Sequence, residues 1–153
     1  MATAAAISTA RRMQPRVSEI VLQCSDGIQL AGQSWTNASE GDAESKQILC
    51  LHGWMDNCRS FHILAPNLLR QIPNVQLVAL DFPGHGLSSH KSADGPPIIL
   101  AESAFYVAEA VKQLQWTSFT LVGHSMGATV SSLYAASFPE QVQKLILLEG
   151  GTP

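Results

Sequence analysis

Charge is scarce in this sequence of 153 residues. Only 14% of the residues are charged, and nine lysines and arginines against twelve aspartates and glutamates give a formal net charge of -3. A nucleic-acid-binding surface needs basic side chains grouped so that they neutralise a run of phosphates, and the cations here are scattered. We therefore expect no nucleic acid among its partners.

Long apolar runs and paired cysteines are also missing. Apolar runs such as 48–51 and 145–148 have the length of a strand and fall far short of the roughly 20 residues that cross a bilayer. The three cysteines form neither an even set nor a C-x-x-C pair, which argues against a disulfide framework and against a metal site. We expect an intracellular protein with no transmembrane segment, no metal and no cofactor.

The first sixteen residues differ in composition from the rest. They contain three arginines, several Ala, Ser and Thr residues and no acid, which is weakly typical of a mitochondrial transit peptide and lacks the apolar core of a secretory signal. Chain termini are also commonly disordered. Residues 1–16 are interpreted either as a disordered segment or as a weak targeting segment, and residues 17–153, with 46% apolar residues in the whole chain, as part of one domain.

Apolar patterning over residues 17–153 alternates between strands and helices. The triplet Ser25-Asp26-Gly27 lies between two β-prone runs and predicts a hairpin. Helices are predicted after Ser60 and Ser103 as N-caps, the first shortened or kinked by Pro66, and over Ala128–Phe138. The predicted strands are Val17–Leu22, Ile28–Trp35, Ile48–Leu51, Val75–Leu80, Phe119–Val122 and Lys144–Leu148. This order predicts an α/β fold, with a doubly wound, mostly parallel sheet covered by helices on both faces.

A candidate nucleophile lies between the fifth strand and the last helix. Residues 123–127, Gly-His-Ser-Met-Gly, fit the G-x-S-x-G pattern, and the strand-turn-helix context is the one a nucleophile elbow requires. So sharp a turn leaves no room for a β-carbon two residues before or after the serine, which explains Gly123 and Gly127. We predict Ser125 as the nucleophile; a glycine-rich turn with an idle serine is the alternative.

A second motif follows the strand that ends at Leu51. His52-Gly53-Trp54 stands where a loop can donate one backbone N–H to an oxyanion. We predict that the N–H groups of Trp54 and Met126 form an oxyanion hole, with His52 and Gly53 shaping the turn. Without the downstream elbow, an ordinary turn would be the favoured interpretation of this triplet.

These motifs carry a family resemblance. Together with residues 81–90, Asp-Phe-Pro-Gly-His-Gly-Leu-Ser-Ser-His, they resemble the α/β-hydrolases, and among them the serine hydrolase-like proteins, from about Val17 to the end of the sequence. The resemblance implies an intracellular hydrolase of the cytoplasm or the peroxisome. It also implies that Asp81 is structural and braces the turn beside the site.

The resemblance also implies an order of catalytic residues that the sequence does not complete. An acid and then a histidine should follow the serine, yet all five histidines precede Ser125. Glu149, at the end of the last predicted strand, is a candidate acid. We expect the catalytic acid and histidine beyond Pro153, so that residues 17–153 are the N-terminal part of the domain, without its cap and C-terminal strands. Lys144–Leu148 would then be an exposed apolar edge, and the chain alone would be marginally stable.

Two functions remain open at this point. The first is a serine hydrolase that acts on an ester, thioester or amide of a small molecule through an acyl-enzyme on Ser125, represented here by an incomplete and inactive part. The second is a non-catalytic truncated product that acts as a binding or interaction module. The sequence predicts neither the substrate nor the oligomeric state.

Overall fold

The structure is a computed structural model that describes residues 15–39, 42, 44–92, 94–95 and 99–150. The predicted disordered or targeting segment, residues 1–16, lies outside the described residues except for its last two positions. Arg16 already begins the first strand. For residues 1–14, disorder or a targeting role stays a prediction.

Six strands and three α-helices make up the described part of the chain. The strands are β1 (Arg16–Gln23), β2 (Gln29–Thr36), β3 (Lys46–Leu51), β4 (Val75–Leu80), β5 (Phe119–His124) and β6 (Val142–Leu148). The helices are α1 (Leu64–Gln71), α2 (Leu100–Leu114) and α3 (Met126–Ser137), and a 3-10 helix spans Cys58–Phe61. Of these helices, none combines the length and the hydropathy that a membrane-spanning segment needs.

All six strands form one sheet in the order β1-β2-β4-β3-β5-β6. β1 pairs antiparallel with β2, and β2 pairs antiparallel with β4. β4, β3, β5 and β6 run parallel, so their carboxyl ends meet at one edge of the sheet. The predicted mostly parallel α/β sheet is confirmed, with an antiparallel hairpin added at one side.

Helices cover both faces of this sheet because side chains of a strand alternate between its faces. Leu49 and Leu51 of β3 pack in a core with residues of α2 and α3. Ile48 and Cys50 of the same strand pack in a second core with residues of α1 and the 3-10 helix. The continuous apolar runs of β3, β4 and β5 are therefore explained by burial on two sides.

Two predicted N-caps are wrong. Ser60 lies inside the 3-10 helix, which Asn57 caps through its side chain, and α1 begins only at Leu64, so that Pro66 falls in its first turn, where a missing N–H costs nothing. Ser103 lies inside α2, three residues after its start, and its hydroxyl bonds back to the carbonyl of Ile99 at 3.4 Å. Serine can cap a helix or bond to the preceding turn, and the sequence does not separate the two.

β6 is an edge strand of the described sheet. It pairs with β5, and its four last residues, 145–148, are 38–43% exposed although all are Leu or Ile. This is the exposed apolar edge that the sequence predicts. Its effect on the stability of the isolated chain stays a prediction.

Candidate active site

Ser125 is the single residue between the end of β5 and the start of α3. Its backbone has φ 51° and ψ -115°, a region that residues with a β-carbon rarely occupy. The N–H of Ser125 donates to the carbonyl of Leu148 at 3.0 Å, and its own carbonyl accepts from Ala128 at 2.9 Å and Thr129 at 3.2 Å. These three hydrogen bonds hold a strained turn, and the residue at its apex is exposed.

The glycines on either side of Ser125 allow this turn. A β-carbon on Gly123 would lie 2.5 Å from Ser131 Oγ and 2.6 Å from Ala128 Cα. A β-carbon on Gly127 would lie 2.6 Å from the carbonyl oxygen of His52 and closer still to that of Leu51. Any side chain at either position would push α3 away from the ends of β3 and β5.

The turn after β3 lies directly against this elbow. A β-carbon on Gly53 would lie 3.3 Å from Ser125 Cβ and 3.2 Å from His124 Nδ1, so the two predicted motifs are in contact. Met126 is the first residue of α3, where an α-helix provides no acceptor for the N–H. Across the described ranges, the N–H groups of Trp54 and Met126 donate to no protein acceptor, and their role as an oxyanion hole stays a prediction.

His52 holds the turn and has no free ring nitrogen. It is fully buried; its Nδ1 lies 2.6 Å from the carbonyl oxygen of Gly53, and its Nε2 accepts from the N–H of Phe82 at 3.0 Å. A carbonyl only accepts and a backbone N–H only donates, so the proton sits on Nδ1. Burial lowers the pKa of His52 below its usual value. The ring is therefore neutral, and both nitrogens are engaged away from Ser125.

The other histidines do not reach the serine hydroxyl either. His124 Nε2 lies 3.7 Å from Glu149 Oε2, and His85 Nδ1 lies 3.2 Å from the carbonyl oxygen of Pro83. Over the residues that the structure describes, no histidine ring hydrogen-bonds to Ser125. Among the described residues, the predicted nucleophile Ser125 therefore has no histidine placed as its base.

Glu149 follows β6 and lies next to the elbow. Its backbone has φ 49°, and its side chain is 91% exposed, with His124 as its ionic partner. The following Gly150 has φ 132°, and a β-carbon there would lie 3.2 Å from Ser125 Cα. This segment contacts Ser125 from the side. The role of Glu149 as catalytic acid stays a prediction.

Asp81 supports the turn that follows β4. It is buried, and its two carboxylate oxygens accept from the N–H groups of Cys58 at 2.6 Å and Leu87 at 2.8 Å. Its carbonyl accepts from the hydroxyl of Ser88 at 2.7 Å. Burial, together with the neighbouring Asp81, raises the pKa of the Cys58 thiol to about 12. Asp81 therefore links the 3-10 helix to the turn after β4, in keeping with the structural role that the resemblance implies.

A cavity of about 630 Å³ opens beside the elbow. Met126 and Trp54 form part of its wall, with Phe82 and His85 from the turn after β4 and residues 99–101 from the start of α2. The sequence does not predict this last group, because the misplaced N-cap at Ser103 puts those residues in a loop. The apolar pair Ile99 and Leu100, where α2 begins, was the signal available in the sequence.

Comparisons with known proteins agree with the fold. A family model described as the alpha/beta hydrolase fold matches residues 46–153. A serine hydrolase-like protein of Danio rerio is 42% identical over 125 residues, which are 79% of this chain and 34% of that protein. A serine hydrolase-like protein of Homo sapiens is 41% identical over 133 residues, 87% of this chain and 61% of that protein. The chain therefore spans less than two thirds of the length of these relatives.

Solved structures give the same picture. A hypothetical protein of Pseudomonas aeruginosa PAO1 superposes with a TM-score of 0.72 at 39% identity, over 86% of this chain and 43% of the other. The thioesterase domain from the curacin biosynthetic pathway superposes with a TM-score of 0.74 at 29% identity, over 86% of this chain and 46% of that domain.

Proposed function

Because the chain belongs to the α/β-hydrolase family, we propose that its protein is a serine hydrolase that cleaves an ester, thioester or amide of a small molecule through an acyl-enzyme on Ser125. The observation that carries the proposal is the backbone of Ser125, held at φ 51° between β5 and α3 by close-packed glycines. Strain of this kind persists where the surrounding structure fixes it, and it concentrates at functional sites.

In this mechanism Ser125 Oγ attacks the substrate carbonyl carbon. The carbonyl π-electrons move to oxygen, and the N–H groups of Trp54 and Met126 stabilise the resulting oxyanion. In comparable sites one such donor lowers the barrier by roughly 3–4 kcal/mol. The first residues of α3 add the positive end of a helix dipole. The leaving group then departs, and water hydrolyses the acyl-enzyme.

Proton transfer needs a base that the described residues do not provide. His52 is neutral with both nitrogens engaged, and His124 faces Glu149. Since the relatives are longer than this chain, we propose that a histidine and an acid outside residues 1–153 supply the base and orient it. Residues 1–153 alone would then be inactive.

Labelling with a fluorophosphonate probe tests the nucleophile. In the full-length protein we expect covalent labelling that Ser125→Ala reduces to background. Ser137→Ala is the matched control, because Ser137 is an exposed serine of the same helix whose hydroxyl donates to the carbonyl of Leu133. Labelling that survives in Ser125→Ala, or is absent from the unmodified protein, would refute the proposal.

The alternative is a non-catalytic module that binds a partner through β6. The exposed apolar edge of β6 and the absence of a base among the described residues favour it. A strained serine flanked by two available N–H groups has no use in such a module. The same labelling experiment separates the two, because a binding module leaves Ser125 unlabelled.

A further inference from the structure

The cavity beside the elbow begins at the two residues whose N–H groups are proposed to bind the oxyanion. Both Trp54 and Met126 line it, so a group attached to the reacting carbonyl carbon can extend into it without leaving the site. Its volume, about 630 Å³, is within the range of roughly 300–1,000 Å³ that small-molecule pockets occupy. The inference below rests on the proposed function.

The described residues that line this cavity include no Asp, Glu, Lys or Arg, and His85 is their one titratable side chain. Its buried inner wall includes Phe82 and Ser103, and the hydroxyl of Ser103 already donates to the carbonyl of Ile99. Its more exposed wall is apolar and includes Leu100. A carboxylate or a phosphate placed there would lose its hydration with no Lys or Arg among the described lining residues to pair with it, which is costly. An uncharged apolar group would gain from the same burial.

From these observations we infer that the cavity binds a neutral, apolar group of the substrate, and that Ala101 determines how large a group it accepts. Ala101 lines the cavity from the first turn of α2, and it is exposed. A larger side chain at this position therefore enters the cavity without disturbing either core. A substrate with several methylene groups fits this site, and one with a charged terminus does not.

The test measures binding in a variant that has no nucleophile. Ser125→Ala in the full-length protein is titrated with methyl octanoate, with the monomethyl octanedioate anion, which carries a carboxylate at the far end of the same chain, and with methyl butanoate. Trp54 reports binding through its fluorescence, because it lines the cavity and is 69% exposed, whereas Trp35 and Trp116 are each 5% exposed. Loss of the signal in Trp54→Phe identifies its source.

We expect methyl octanoate to bind at least tenfold more tightly than the monomethyl octanedioate anion. Adding Ala101→Phe should weaken methyl octanoate about tenfold, the effect of excluding roughly two methylene groups, and should change methyl butanoate less than twofold. Ala136→Phe is the matched control, an exposed alanine of α3 outside the cavity wall, and should bind all three compounds as before. Thermal unfolding of each variant checks that the fold is kept.

The outcomes separate this inference from the proposed function. Equal binding of methyl octanoate and the anion, no binding of methyl octanoate, or no effect of Ala101→Phe in a folded variant would each overturn the inference, even if Ser125 is labelled. Binding as expected, together with a Ser125 that no fluorophosphonate labels, would support the cavity as a binding site and refute the hydrolase.

Discussion

Replacement of Gly127 by alanine sets two effects of opposite sign against each other. Gly127 is the second residue of α3, and within a helix alanine is more favourable than glycine by at most about 1 kcal/mol. However, the added β-carbon would lie 2.6 Å from the carbonyl oxygen of His52, and closer still to that of Leu51, where ordinary contact begins at 3.4 Å.

The steric effect should dominate. Overpacking in a close-packed region costs roughly 1–3 kcal/mol, and the upper end applies because both obstructing atoms belong to the backbone of the turn after β3. With the helix preference subtracted, we expect Gly127→Ala to lower the free energy of unfolding by about 2 kcal/mol. For a domain of this size, that corresponds to a fall in Tm of about 4–8 °C.

Urea denaturation of the full-length protein, followed by circular dichroism, measures this difference. Gly95→Ala serves as the control, because Gly95 is exposed and its added β-carbon would approach only Ser92, at 3.2 Å from the carbonyl oxygen; we expect a change below about 0.5 kcal/mol. A Gly127→Ala protein as stable as the unmodified one would show that α3 does not approach the end of β3 as described.

Two further predictions concern buried groups of the site. Asp81→Asn places an NH2 group against one of two backbone N–H donors, so we expect a loss of about 1–3 kcal/mol in urea titrations; unchanged stability would contradict the bracing role. Burial lowers the pKa of His52, so the unfolded chain takes up this proton at a higher pH than the folded one. Keeping this ring neutral contributes to the free energy of unfolding. The contribution is fully present above the usual pKa of 6.5. It is lost as the pH falls through the lowered pKa, with a slope of at most about 1.4 kcal/mol per pH unit. Tm measured from about pH 7.5 to 5 should show this slope in the unmodified protein and in the exposed-site control His62→Gln, and a smaller slope in His52→Gln; equal slopes in all three would contradict it.

Most of the fold could be predicted from the sequence because its local signals agree with one another. The run Val75–Leu80 is a strand over the predicted bounds, since five apolar residues out of six, buried on both sides of the sheet, leave little ambiguity. The N-caps failed for a physical reason. Ser103 looks like a cap because an apolar helical face follows it, yet the helix already begins at Leu100, and the apolar residues before the serine face the cavity rather than a core.

The site could be predicted only in part. The elbow and the turn after β3 are contiguous motifs, so their chemistry is readable from residue order. Their mutual distance depends on the sheet order, in which β3 lies between β4 and β5, and a sequence does not give that order. The proton position on His52 depends on Phe82, thirty residues away, and the cavity wall depends on where α2 begins.

The hydrogen bonds around Ser125 have a consequence for how reaction chemistry can change in this scaffold. The strained turn is held through its backbone N–H and carbonyl and through the lack of side chains at Gly123 and Gly127. None of these contacts uses the serine hydroxyl, so the identity of the nucleophile is independent of what fixes its position. A thiol or a carboxylate at this one residue would form a different covalent bond with a substrate while the turn keeps its backbone conformation. A substitution at either glycine would instead disrupt the turn and displace the reactive side chain. Selection can therefore act on reactivity and on folding separately, within a stretch of five residues.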